Sequence, residues 1–117
     1  MHQFTEKQNQ LDGHIRKVLY ECYRRVTEHH PDARIILYGS RARGQGGEYS
    51  DLDIIVLLDG SISQQQKNHI HDMLYEIGLE NDIVISAFIR TNQQWEKPVS
   101  RATGLYKSVQ NEGILIE

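Results

Sequence analysis

The run Leu52-Asp53-Ile54-Ile55-Val56-Leu57-Leu58 constrains this chain more than any other stretch. From Ile54 onward it has no polar alternation, so a strand formed by it must be covered on both faces. The two acids that open it, Asp51 and Asp53, flank Leu52. Side chains alternate along a strand, so both carboxylates point one way while Leu52 and Ile54 point the other. Neighbouring carboxylates repel and are costly to dehydrate, which makes an apolar strand a poor place for them unless a cation is shared. Hard oxygen ligands of this kind suit Mg²⁺, which combines a few carboxylates with substrate phosphates.

Upstream, the apolar segment Ala33–Tyr38 predicts a short strand that ends at Gly39 and Ser40. Glycine lets a backbone approach a phosphate closely, and a helix starting at Ser40 would offer its free N–H groups and a hydroxyl to an anion. Arg41 and Arg43 add planar donors matched to phosphate oxygens. The segment Ser40–Arg43 is expected to begin a short helix, and Gln45–Tyr49 to form a mobile loop. A phosphate cradle facing a carboxylate pair is the layout for transfer chemistry on a nucleoside triphosphate.

The string G-S-x10-D-x-D, with apolar Tyr38, Leu52 and Ile54, resembles the signature of the DNA polymerase β-type nucleotidyltransferase superfamily. The fuller GSRARG followed by SDLD is similar to its smallest branch, the minimal nucleotidyltransferases found beside HEPN-domain partners. The motif covers about a fifth of the chain, and glycine turn, arginines and paired acids occur together in fixed order. The resemblance implies a polymerase β palm-like α/β domain with a mixed sheet, although the pattern of elements alone favours a parallel one. It implies ATP as substrate, held by Gly39, Ser40, Arg41 and Arg43, and two Mg²⁺ ions held by Asp51, Asp53 and a third acid from the neighbouring strand. Asp82, at the start of the apolar stretch Asn81–Ile89, is the candidate for that third acid, with Glu80 as a competitor two residues earlier.

The rest of the chain supplies the frame. A length of 117 residues fits one domain over 1–117, with the polar segment 1–10 frayed at its start and Phe4 as an anchor. Leu11, Ile15, Val18, Leu19, Cys22 and Val26 share one helical face; a second helix, capped by Ser61 or Ser63, buries Ile70, Met73, Leu74 and Ile77 and closes at Gly78. Thr91 and Gln94 form a capping box for a turn containing Trp95. Pro98 opens a last helix burying Val99, Ala102, Leu105 or Tyr106, and Val109, and Ile114–Ile116 offers a short terminal strand. The order is α-β-α-β-α-β-α. A net charge of −3 argues against a general nucleic-acid binder, and the single cysteine excludes an intrachain disulfide. No apolar run approaches membrane-spanning length, so a reducing cytoplasm is the default expectation.

The acceptor is not written in the sequence. The minimal branch points to a HEPN-type toxin as partner, with this chain as an antitoxin that attaches AMP to a tyrosine. Two other readings stand beside it: transfer to a small molecule such as an aminoglycoside across a homo-oligomer, and neutralisation of a partner by occlusion without catalysis.

Overall fold

The computed structural model describes residues 1–7, 10–47 and 51–116. Its centre is a five-stranded sheet in the order β1-β5-β2-β3-β4. The strands are β1 (His2–Gln3), β2 (Arg34–Tyr38), β3 (Leu52–Leu58), β4 (Ile85–Thr91) and β5 (Ile114–Ile116); the helices are α1 (Phe4–Lys7), α2 (Gly13–His29), α3 (Gln64–Glu80), α4 (Asn92–Trp95), α5 (Pro98–Arg101) and α6 (Gly104–Glu112).

The sheet is mixed, as the resemblance implies. β2 runs antiparallel to β3 and to β5, while β3 is parallel to β4 and β1 to β5. The cause lies in the connections. Among the described residues no helix separates β2 from β3, and the antiparallel pair doubles back beside itself; between β3 and β4 the crossover helix α3 restores the direction.

Both faces of β3 are covered, as its unbroken apolar run requires. Leu52, Ile54, Val56 and Leu58 pack with the inner faces of α2 and α3, including Ile15, Val18, Leu19, Cys22, Val26, Ile70, Met73, Leu74 and Ile77. On the opposite face Ile55 and Leu57 join Ile36, Trp95 and Val109, with Tyr38, Leu105 and Tyr106 at the margin. The helix starts follow their capping residues. Asp12 accepts from the His14 N–H at 2.7 Å, and reciprocal capping boxes close Ser63 with Gln66 and Thr91 with Gln94.

Four expectations change. The N-terminal segment is not simply frayed: β1 pairs with β5 and Phe4 packs against the larger core, because the terminal strand gives it a free edge to join. Ser40–Arg43 forms overlapping turns instead of a helix. The Gly39 carbonyl accepts from Ala42 and Arg43, and Gly44 at φ +73° turns the chain away. Of the expected loop Gln45–Tyr49, Gln45–Gly47 is irregular and Glu48 and Tyr49 lie outside the described residues. The last helix is split, since Thr103 caps α6 afresh by accepting from the Tyr106 N–H; Val99 on α5 is 77% exposed and Ala102 is exposed too, so neither joins the core.

The fourth change concerns the third long strand, which starts at Ile85 and not at Asn81. Asn81 caps α3, its backbone and side-chain N–H groups both donating to the Ile77 carbonyl. The Ile83 N–H then donates to the Gly78 carbonyl at 3.0 Å. This closure uses the residues between helix and strand and leaves Asp82 in a turn at φ +54°, a conformation an aspartate tolerates better than most residues.

Candidate active site

Three strands bring one row of side chains together. Asp53 on β3 lies across from Tyr38 on β2 and from Ser86 on β4. By alternation Asp53 shares the face of Ile55 and Leu57, and so stands at the edge of the smaller core. Asp51, just before β3, is exposed; its Oδ2 accepts a hydrogen bond from the Ser86 hydroxyl at 3.1 Å.

The electrostatics fit a site short of positive charge. Burial raises the Asp53 carboxyl above the ordinary aspartate range, and the Asp51 charge adds to the effect. Burial likewise raises the Tyr38 phenol, with the Asp53 charge as the second cause. A carboxylate whose charged form is disfavoured in this way, as that of Asp53 is, gains from a bound cation. Two hard oxygen ligands on one face match a Mg²⁺ ion that completes its shell with water and phosphate.

Gly39 ties the pair to the phosphate-binding segment. It sits at φ +79°, and a Cβ there would lie 2.7 Å from the Asp53 Oδ2. The Asp53 carboxylate therefore rests against the bare backbone of the Gly39-Ser40 turn, and a phosphate over that turn would lie beside the carboxylates. Glycine is needed here twice, for the conformation and for the room.

The two arginines that follow the turn are engaged with neighbouring groups, and Asp82 lies apart. The Arg41 guanidinium donates to the Gly47 carbonyl at 3.0 Å, and its stem packs so tightly on Gly46 that a Cβ there would overlap it. Arg43 pairs with Glu112 at 2.9 Å and donates through Nε to Gln45. Asp82 lines a depression of about 600 Å³ with Arg41, Asp12, His14 and Asn81. Asp51, Asp53 and Asp82 do not form a group able to hold a metal ion; among the described residues no such group of three or more exists. The structure thus joins Gly39, Asp51 and Asp53 and does not bring Asp82 to them.

Ser86 was missed by sequence reasoning. Its only signal is the parity of β4, and that parity is readable only once the start of the strand is known.

No helix among the described residues is long and apolar enough to cross a membrane. Comparison with known proteins gives a match to the nucleotidyltransferase domain family over residues 15–116. A protein of Methanocaldococcus jannaschii named "Putative protein adenylyltransferase" is 32% identical over 81 residues, covering 69% of this chain and 75% of that protein. Residues 15–116, matched by the family, contain the Gly39 turn, the Asp51–Asp53 pair and the strands that hold them, and the chain belongs to the nucleotidyltransferase domain family.

Proposed function

We propose that this chain transfers AMP from ATP to a tyrosine hydroxyl of a partner HEPN-domain toxin, and so acts as its antitoxin in a reducing cytoplasm. The observation that carries the reading is the contact between the Gly39 backbone and the Asp53 carboxylate, which puts a phosphate-binding turn beside a carboxylate pair. The relative named as a protein adenylyltransferase supports a protein acceptor over a small molecule.

In this reading Gly39 and Ser40 receive the triphosphate through backbone N–H groups. Arg41 and Arg43 border the same segment and supply positive charge to the outer phosphates. Asp51 and Asp53 would hold Mg²⁺, which when bound offsets phosphate charge and polarises the reacting group. The acceptor oxygen forms a bond to the α-phosphorus as the bond from that phosphorus to the α,β-bridging oxygen breaks. Pyrophosphate leaves, and the hydroxyl proton passes to solvent or to a nearby carboxylate. Orienting the acceptor in line with the leaving group is the main contribution asked of the protein.

The test uses ATP labelled on its α-phosphate, Mg²⁺, this protein and the product of the neighbouring gene, which in this reading is the HEPN-domain toxin. Label on a toxin tyrosine, absent with Asp53→Asn, is the expected result. Toxin neutralised without label, equally well by the Asp51→Asn, Asp53→Asn double variant, would replace catalysis by occlusion.

A further inference from the structure

The neighbouring strand presents a hydroxyl where a third carboxylate was expected. Ser86 is the residue of β4 directly across from Asp53, and residues paired in this way share a face about 4.8 Å apart. Its hydroxyl is already engaged, donating to Asp51 Oδ2 at 3.1 Å. The other residues of that face of β4 are Phe88 and Arg90, the guanidinium of Arg90 stacking 3.8 Å from the Phe88 ring centroid. No acid occurs anywhere in Ile85–Thr91. Asp82 precedes the strand, in a left-handed turn, and opens into the depression lined by Arg41 and Asp12.

A carboxylate that binds a metal through one oxygen is oriented by what its other oxygen accepts, and such supporting partners affect affinity strongly. Asp51 is the more exposed of the pair and needs that support more. We infer that Ser86 is a positioning residue that holds Asp51 for metal binding in the place of a third carboxylate, so that Asp51 and Asp53 form a site for one divalent ion and not two. This inference rests on the carboxylate pair being the metal site of the proposed function. It assigns no metal-binding role to Asp82.

The experiment is a titration of the whole protein with Mn²⁺ alone, following free Mn²⁺ by its electron paramagnetic resonance signal. One ion per chain is expected for the wild type, none for Asp53→Asn, and one with unchanged affinity for Asp82→Asn. Ser86→Ala should weaken binding about tenfold, while Ser86→Thr, which keeps the hydroxyl, should restore it to within about twofold. Ser86→Asp should bind more tightly or take up a second ion. Thermal unfolding of each variant separates loss of the ligand geometry from loss of the fold. Two ions on the wild type, an ion lost in Asp82→Asn, or wild-type affinity in Ser86→Ala would each overturn the inference and leave the proposed function standing. No Mn²⁺ binding by the wild type would likewise overturn the inference, while the proposed function is decided separately by transfer of label from ATP.

Discussion

Replacing Gly39 by alanine tests the contact on which the site depends. The residue sits at φ +79°, and the new Cβ would lie 2.7 Å from Asp53 Oδ2, against ordinary contacts that begin near 3.4 Å. A left-handed alanine costs about 1–2 kcal/mol, partly offset by the smaller freedom of alanine in the unfolded chain. Regaining roughly 0.7 Å of separation pushes the Asp53 side chain off its rotamer, which adds about 1 kcal/mol. The total is about 2 kcal/mol, and at this chain length it lowers the melting temperature by roughly 8 °C. In an Asp53→Ala background the carboxylate is gone and only the backbone share, about 1 kcal/mol, remains. A double-mutant cycle should therefore give a coupling of about 1 kcal/mol between the two positions. Mn²⁺ affinity should also fall at least tenfold in Gly39→Ala, because its ligand has moved. Equal losses of stability in both backgrounds, with Mn²⁺ affinity untouched, would refute the claim that Gly39 makes room for the carboxylate.

Three further outcomes follow from the same geometry. Gly78→Ala should destabilise the protein by about 2 kcal/mol in urea unfolding despite the better helix propensity of alanine, since its Cβ would lie 2.5 Å from the fixed Ile83 carbonyl; a stabilised variant would mean that the turn before β4 gives way easily. Glu112→Gln should release Arg43 from its partly exposed ion pair, lowering the KM for ATP two- to threefold at low salt while changing stability by no more than about 0.5 kcal/mol. The effect should vanish in an Arg43→Ala background, and its persistence there would remove Arg43 from the phosphate site. Burial pushes the Cys22 thiol up to about 12, with the Glu21 charge adding, so the nucleophilic thiolate is a minute fraction at pH 8 and is populated only as pH climbs toward that value. A disulfide reagent should react with the native protein no faster than it unfolds, and complete labelling within minutes at pH 8 without denaturant would show the cysteine to be accessible.

Much of the frame was readable in the residues because it depends on local periodicity. The apolar faces of α2 and α3, the capping box at Thr91 and the double coverage of Ile54–Leu58 all follow from side chains a few positions apart, whereas the choice of Ser63 over Ser61 as the cap of α3 came from the structure. The pairing of Asp51 and Asp53 on one face is a local fact as well, since an extended chain repeats every two residues. Where a strand begins is less local. Asn81–Ile89 reads as one apolar run, and what removes Asp82 from it is the closure of α3 through Asn81, Gly78 and Ile83, whose cost and gain depend on the packing of the helix.

The site shows the same division. By itself, the sequence determined that a glycine turn and two carboxylates lie at the ends of adjacent chain segments, which is enough to indicate nucleotidyl chemistry. Only the tertiary structure decided that the Asp53 carboxylate touches the Gly39 backbone, that Arg43 is held by Glu112 from a helix 69 residues away, and that Ser86 stands beside Asp53. Those facts are set by register between strands distant in the chain. A shift of one residue would turn Ser86 to the opposite face, and the hydrophobic pattern of all the strands together forbids that shift.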